Sequence, residues 1–319
     1  MTARCNAIST MLGPLYCAAA LVCLAGCSES APPIPDLSGQ WGRDWIFFEP
    51  PTSGAGPVIS IERRPDGTLV DEPMIGDPSN PILRQAAAEA VRRQGDINRS
   101  GRIAPDAHNQ CWPEPPPFTM STQFGVQILQ QQDKVTFVYL ANNQVRHVRL
   151  NVPHAENVTP TWEGESVGRF EGDTLVIDTV GIKIGPFATV DLYGTPYSEA
   201  LHVIERYRLV DGKAAGDAMD RHMRTYFDPT GDTSNLPFES ISPFYGRGPI
   251  DPDTNHPGLQ VEITVEDPGM FNMPWSGLIT YRPVIVQPPV QWPEAVCAES
   301  ARQAFGLEHT IPTSNTPDF

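Results

Sequence analysis

Short runs of alternating apolar and polar residues, separated by turn residues, fill the middle and the C-terminal half of the chain. They read FGVQILQQ, VTFVYLAN, QVRHVRLN, SVGRFEG, TLVIDTVGI, LHVIERYRLV, LQVEITVED and GLITYRPVIV. A period of two is typical of a β-strand that buries one face, and short connections favour antiparallel neighbours. The pattern predicts a mainly β fold, either an antiparallel barrel or a curved sandwich of about eight to ten strands.

Two segments depart from this alternation. Pro81–Gln94 has helical periodicity, with Asn80 as the N-cap and Gly95 as the stop, and predicts one short helix packed on the sheet. Lys213–Gly258 is long, irregular in pattern and rich in aromatic residues. Such a segment is typical of a lid or binding loop, and we interpret it as a loop insertion that covers one end of the barrel.

The first residues have the composition of a cleaved export signal. A short apolar run, Met11–Ala25, is followed by Leu-Ala-Gly-Cys at 24–27, which resembles a bacterial lipobox whose cysteine is lipidated after cleavage. The alternative is an ordinary signal peptide whose cleavage site contains a cysteine. Because Ser28 follows Cys27, we expect lipid anchoring in the outer membrane of a bacterial cell envelope, facing the periplasm or the exterior. The predicted divisions are a signal peptide at 1–26, a lipid-anchored tether at 27–36, a single β domain at 37–311 containing the insertion 213–258, and a tail at 312–319.

The net charge of −16, from 22 Lys and Arg against 38 Asp and Glu, argues against one class of partner. A surface this acidic repels phosphate backbones, so we expect no nucleic-acid partner. Contact with a membrane is expected only through the N-terminal lipid. No P-loop or glycine-rich dinucleotide motif occurs in the sequence, and we expect no cofactor. The partner class that remains is a small-molecule ligand or substrate.

Two cysteines remain after the expected processing. Three of the six cysteines fall in the signal segment and Cys27 takes the lipid, which leaves Cys111 and Cys297 in an oxidising compartment. We predict a disulfide between them. The alternative, a metal ligand or a catalytic thiol, is disfavoured because neither has a second Cys or a His at ligand spacing, and no metal site is expected.

Three blocks carry a family resemblance: TWEGESVGRFEGDTLVIDTVGI, YSEALHVIERYRLVDG and VEITVEDPGMFNMPWS. They resemble a widespread family of bacterial exported proteins in which W-x-G-x-S-x-G-x-W-E-G-D-T-L-V-V-D-T precedes H-S-E-x-L-H-x-x-E-R-F and D-D-P-x-x-Y-x-x-P-W. Phe170 stands where that family has its second Trp, Tyr197 stands where it usually has His, and Lys213–Gly258 is longer than the hairpin expected there. Over Cys111–Cys297 the resemblance implies a lipocalin-like β-barrel and export, and it implies no particular reaction.

Two carboxylates lie within apolar strands. Alternation places Asp178 and Glu205 among apolar neighbours, so we predict that both face the barrel interior and that at least one lines a pocket also reached by the insertion. Buried carboxylates are costly unless they are paired or used. One interpretation is an ion pair with an arginine such as Arg146, Arg169 or Arg206. The other is a general acid–base pair whose pKa values are set by burial.

Histidines complete the candidate catalytic set. His202 and Glu205 are three positions apart on one strand, so they point to opposite faces and cannot share a metal ion. A lone histidine is more often a structural hydrogen-bonding group than a ligand. Glu163 and Glu165, in the turn-rich WEGES, are interpreted as rim residues. The candidate catalytic residues are Asp178, Glu205, His154 and His202, and the candidate ligand-binding residues are Arg206, Trp162 and Tyr139.

Two functions from different classes fit these observations. The first is a lipid-anchored barrel that binds a small, fairly apolar ligand, as closed barrels commonly do. The second is a cofactor-free envelope enzyme of the lyase, hydratase or isomerase type that uses a carboxylate and histidine set. The absence of a nucleophile motif and of metal-ligand spacing favours binding, whereas carboxylates in apolar strands favour catalysis.

Overall fold

Nine strands hydrogen-bond in sequence order and the first also pairs with the last, so the sheet closes into a barrel. Closure leaves the sheet with no free edge. The prediction of a mainly β fold is confirmed, and of its two forms the barrel is the one observed. The strands are β1 Gly39–Gly42, β2 Gly125–Gln130, β3 Lys134–Tyr139, β4 Val145–Leu150, β5 Glu165–Glu171, β6 Thr174–Val180, β7 His202–Val210, β8 Gly258–Glu266 and β9 Trp275–Pro283.

The structure is a computed structural model that describes residues 34–43, 46–63, 74–122, 125–139, 143–226, 250–251 and 253–284. The expected signal peptide, the lipidation site Cys27, the greater part of the insertion and the disulfide partner Cys297 lie outside the described residues. Within that part of the chain, no helix is both long and apolar enough to cross a lipid bilayer.

One pair of neighbouring strands is parallel, contrary to the predicted all-antiparallel order. Val148 of β4 lies opposite Ser166 of β5, and Leu150 lies opposite Gly168. Parallel neighbours cannot be joined by a tight turn, because the chain must return to the starting end of the sheet. Residues 151–164 make this return as a loop, which we call the crossover loop.

The first helix, α1, spans Gln85–Arg99 and so starts and ends later than predicted. It runs through Gly95, the expected stop. That glycine is buried against Ile75, and an added Cβ there would lie 3.1 Å from the Ile75 Cγ2 atom. Asn80 starts a turn and not the helix, with its Oδ1 accepting a hydrogen bond from the Ile82 amide at 3.1 Å. Glycine at this position therefore serves packing and does not end the helix.

Two further helices were not predicted. A short helix, α2, spans Phe118–Thr122 immediately before β2, and α3 spans Gly212–Tyr226. The beginning of the predicted irregular insertion is thus helical, and α3 packs against β8 and β9. The fit is close, because an added Cβ on Gly258 of β8 would lie 2.2 Å from the Cβ of Ala215 on α3.

Alternate residues of each strand fill the barrel with apolar side chains, and two charged residues stand among them. On β4 the buried positions are Arg146, Val148 and Leu150, while the residues between them are exposed. On β7 the fully or nearly fully buried positions are Val203, Glu205 and Tyr207. These two strands thus each place one charged side chain, Arg146 or Glu205, inside the barrel.

Candidate functional site

Arg146 and Glu205 form a two-pronged ion pair inside the barrel. The Nη1 atom of Arg146 lies 3.0 Å from Oε2 of Glu205, and its Nη2 atom lies 2.6 Å from Oε1. Both side chains are 0% exposed. Of the two interpretations offered by the sequence for Glu205, this geometry matches the ion pair, with Arg146 as the partner.

Neighbouring hydroxyl groups complete the hydrogen bonding of this pair. Arg146 donates from Nε to Ser166 at 3.0 Å and from Nη2 to Thr179 at 2.6 Å, while the Tyr207 hydroxyl donates to Glu205 at 2.7 Å. Burial lowers the pKa of Arg146, but the charge of Glu205 outweighs it and holds that pKa above its ordinary value. Glu205 already accepts three hydrogen bonds, so it is poorly placed to exchange protons with a ligand.

Beside this satisfied pair, two buried polar atoms have no hydrogen-bond partner: the Tyr139 hydroxyl and Oε2 of Glu163. Tyr139 is 2% exposed and points inward at the end of β3, next to Phe137, whose ring centroid lies 6.4 Å away. No group meets its hydroxyl with good hydrogen-bond geometry, although the Arg146 guanidinium lies near enough to lower its pKa by charge and by a distorted hydrogen bond. Glu163 stands at the end of the crossover loop, immediately before Gly164 and β5.

Burial makes both groups weaker acids than usual, because it raises their pKa values. Desolvation raises the pKa of Glu163 to about 7, even though Arg146 and a hydrogen bond from Gln144 act to lower it. Desolvation likewise raises the pKa of Tyr139, and the charges of Glu205 and Glu163 raise it further. The two groups are also linked by geometry: the Tyr139 amide donates to the carbonyl of Gln144 at 2.8 Å, and the Gln144 side chain bonds Glu163, so the two oxygens are assigned to one site.

Gln144 holds the carboxyl group of Glu163 by its other oxygen. The Gln144 Nε2 atom donates both to Oε1 of Glu163 and to the backbone carbonyl of Glu114, whose amide donates back to Gln144 Oε1 at 3.0 Å. Glu114 is itself 1% exposed, bonded to the Thr122 hydroxyl and, at 2.7 Å, to Nδ1 of His108. The orientation of Glu163 is therefore set by a chain of buried contacts, with one oxygen left free.

Aromatic side chains border this end of the barrel. The ring centroids of Trp112 and Trp162 lie 5.6 Å apart and those of Trp112 and Phe187 lie 6.4 Å apart, both edge to face, and Nζ of Lys183 lies 5.0 Å above the Trp162 ring. Trp112 is 41% exposed. We call Trp112, Trp162 and Phe187 the aromatic rim. Trp162, a predicted ligand-binding residue, is half-buried and directly precedes Glu163 in the sequence.

Asp178 does not share the interior with Glu205, contrary to the prediction. The register places Ile177 opposite Glu205 and Asp178 opposite Ile204, so the two carboxylates lie on opposite faces of the sheet. The Asp178 side chain is 34% exposed. Alternation could not reveal this, because Leu175, Val176 and Ile177 are all buried and both faces of β6 are apolar.

On the outer face, Asp178 joins two predicted residues. One of its oxygens, Oδ1, lies 3.1 Å from Nε2 of His154 and 2.9 Å from Nε2 of His202. The other ring nitrogens face carboxylates, with His154 Nδ1 3.4 Å from Glu165 and His202 Nδ1 3.3 Å from Glu266. The opposite orientation of His202 and Glu205 is confirmed, and the four candidate catalytic residues are divided between two faces.

The remaining candidates separate in the same way. Arg206 lies opposite Val176 in the register and shares the outer face, whereas Tyr139 is interior. Cys111 carries a disulfide bond, but its expected partner Cys297 is outside the described residues, so the pairing stays a prediction. Among the residues that the structure describes, no three His, Cys, Asp or Glu side chains are grouped so as to hold a metal ion.

Sequence reasoning named Arg146 only as one of three possible ion-pair partners, and it missed the buried oxygen of Glu163. The signal for Arg146 was present, since it shares the apolar phase of QVRHVRLN with Val148 and Leu150. Glu163 carries no such signal, because it lies in a loop where alternation does not apply. The residue is half-buried, which fits its interpretation as a rim residue, but its Oε2 atom is fully buried.

The observed fold agrees with the β-barrel that the family resemblance implies. No protein-family model, no curated protein and no solved structure matches the chain. The resemblance therefore rests on the three sequence blocks alone, and the functional argument rests on the geometry of the site.

Proposed function

We propose that the barrel binds a small, fairly apolar ligand at the end where Tyr139 and Glu163 lie. The observation that carries the proposal is the pair of buried, unpartnered oxygens beside a network whose other members are satisfied. Leaving such a group unbonded costs about 1–3 kcal/mol, and buried polar groups in folded proteins are nearly always paired. A bound molecule that supplies both partners accounts for their position.

The surroundings define the chemistry of this ligand. Phe137 and Tyr207, with ring centroids 5.2 Å apart, provide an aromatic surface for an apolar body. The hydroxyl of Tyr139 can donate a hydrogen bond, and a carboxylate at Glu163 can accept one. A hydroxyl group, or a carbonyl group facing a protonated Glu163, satisfies both.

The aromatic rim supports an approach from solvent at this end. Trp112 is partly exposed, and the rim residue Trp162 directly precedes Glu163 in the crossover loop. Amphipathic aromatic rings are common where an apolar pocket meets water.

A matched pair of probes tests the proposal. The purified protein is titrated with 2-naphthol and with 2-methylnaphthalene, which differ chiefly in the hydroxyl group, while tryptophan fluorescence is followed. We expect saturable binding of both and tighter binding of 2-naphthol. Tyr139→Phe and Glu163→Gln should each reduce the preference about 5- to 10-fold, the worth of one hydrogen bond.

Glu171→Gln is the control for the same chemical change, because Glu171 lies in an exposed ion pair with Arg169 on the same strand as Ser166. It should leave both affinities unchanged. The proposal fails if neither probe saturates the natural protein, or if the preference for 2-naphthol persists in both site variants.

We place this ligand-binding barrel on the bacterial cell envelope, held by a lipid on Cys27. Support comes from the apolar segment and Leu-Ala-Gly-Cys at 24–27, and from the acidic balance that disfavours binding to anionic surfaces directly. Mass spectrometry of the mature N-terminus should find a lipidated Cys27, and Cys27→Ala should release the protein from membranes. An unmodified N-terminus, or a variant that stays bound, contradicts the anchor.

A further inference from the structure

Glu163 has the features required of a group that moves protons. One carboxyl oxygen is held by Gln144, the other is free and buried, and among the described residues no arginine or lysine hydrogen-bonds to it. Glu205 differs in each respect, since both its oxygens are occupied by Arg146 and Tyr207. An acid–base group must reach its substrate with a free oxygen, so the candidate is Glu163 and not Glu205.

The geometry points to proton transfer at carbon as the chemistry of this site, with a small apolar ketone or aldehyde that has a hydrogen beside its carbonyl group as the substrate class. Glu163 is the general base, and the Tyr139 hydroxyl donates a hydrogen bond to the carbonyl oxygen. This inference rests on the proposed ligand site and goes further by assigning a reaction to it.

The proton transfer needs no co-reactant. The Glu163 carboxylate takes the proton from the carbon next to the carbonyl, the C–H electron pair forms the enolate double bond, and the carbonyl π electrons move to oxygen. Return of the proton from the Glu163 carboxyl group to the same carbon gives exchange, and return to a conjugated carbon gives a double-bond isomer. Nothing is oxidised or reduced.

Charges around the site suit a developing oxyanion. Tyr139 lies inside the barrel near the Arg146 guanidinium, whose charge is only partly offset at that point by the hydrogen-bonded Glu205. A preorganised donor in a water-poor site stabilises the transition state more than it would in water. Burial raises the pKa of Glu163 to about 7, which leaves both protonation states populated at neutral pH, as a group that must take and return a proton requires.

Deuterium exchange of 1-indanone in D2O, followed by proton NMR, tests the assignment, with 1-indanone binding measured on the same samples. We expect the natural protein to accelerate loss of the proton signal beside the carbonyl, with saturation in 1-indanone. Glu163→Gln should lower the rate about 100-fold or more and Tyr139→Phe about 100-fold, with affinity changed far less. Glu171→Gln should match the natural protein.

The pH profile provides a readout that needs no variant. The rate should rise with pH to a plateau with a midpoint near the Glu163 pKa of about 7, because the carboxylate is the active form. If 1-indanone binds saturably but exchanges no faster than in buffer, the assignment is overturned while the ligand site stands. If it does not bind, the assignment fails, and the titration with 2-naphthol and 2-methylnaphthalene decides separately whether the ligand site stands.

Discussion

At the scale of single residues, the ion pair of Arg146 and Glu205 governs stability, because a lone buried charge is far costlier than a buried pair. Both side chains are fully buried. We expect Glu205→Gln to lower the free energy of unfolding by about 3–5 kcal/mol, since it leaves the Arg146 charge unpaired. Urea denaturation measures the loss. Glu171→Gln, in an exposed pair with Arg169, should change stability by less than about 1 kcal/mol.

The double substitution Arg146→Met and Glu205→Leu separates pairing from packing. Apolar replacements of a buried ion pair are often neutral or stabilising, so this variant should recover most of the stability lost in Glu205→Gln. Equal stability of Glu205→Gln and the natural protein would show that Arg146 is not held by Glu205.

Glu163 should make stability depend on pH. Its pKa is raised from 4.5 to about 7 by burial, so the folded state binds the proton more tightly than the unfolded chain. The contribution is complete below about pH 4.5 and is lost as the pH rises to about 7, with an amplitude of about 3 kcal/mol. Unfolding measured at pH 5 and pH 8 should show a smaller decrease for Glu163→Gln than for the natural protein.

Asp191 contributes in the same direction, because burial raises its pKa to about 6. The difference between the natural protein and Glu163→Gln therefore isolates Glu163, whereas the total decrease does not. An identical decrease in both proteins would contradict the buried state of the Glu163 carboxyl group.

What sequence could predict at this scale follows from strand geometry. Alternation correctly placed Glu205 inward and His202 outward, because β7 has one apolar face that contains Glu205. It failed for Asp178, since Val176 on the outer face of β6 is as buried as an inner residue. Glu163, in a loop, lay beyond any periodic argument.

At the scale of elements, strands were predicted well and their connections poorly. All eight quoted runs coincide with strands, β2 to β9, since a period of two is a local property of the chain. The parallel pairing of β4 and β5 depends on where the crossover loop leads, which no local pattern records. Likewise, the close approach of Ile75 to Gly95 is a contact between separate segments, so no local pattern could distinguish this packing glycine from a helix stop.

The contact of α3 with the barrel gives a prediction for an element. An added Cβ on Gly258 would lie 2.2 Å from the Ala215 Cβ and 2.9 Å from the Tyr281 carbonyl oxygen. We expect Gly258→Ala to cost about 1–3 kcal/mol of stability, the range for an overpacked contact. Adding Ala215→Gly should relieve part of this cost, although each glycine in a helix costs about 1 kcal/mol by itself.

A thermodynamic cycle of the two single variants and the double variant measures that relief. A favourable coupling energy between positions 215 and 258 supports the packing of α3 on β8. Strict additivity of the two costs would place α3 elsewhere.

At the scale of the whole molecule, the predicted disulfide would tie an early loop to the C-terminal part of the chain. Cys111 is disulfide-bonded, and Cys297 is the other cysteine expected to remain in the mature protein. Closing so long a loop is worth about 4–5 kcal/mol on the chain-entropy model. The melting temperature should fall on reduction, and Cys297→Ser should melt at the temperature of the reduced protein. Two thiols that react with an alkylating agent in denatured, unreduced protein would refute the pairing.

Because the barrel closes between its first and last strands, the order in which the strands are synthesised constrains the order in which they can pair. Trp41 of β1 pairs with Pro283 of β9, so the seam joins residues near opposite ends of the described chain. While the chain is being made, β1 has one neighbour, β2, and its other edge exposes unpaired backbone groups until β9 arrives. Contacts this distant in sequence form slowly, and an open edge invites pairing with other chains. The newly made protein thus passes through an aggregation-prone intermediate with an open sheet edge. The yield of folded protein will depend on how quickly β9 pairs with β1.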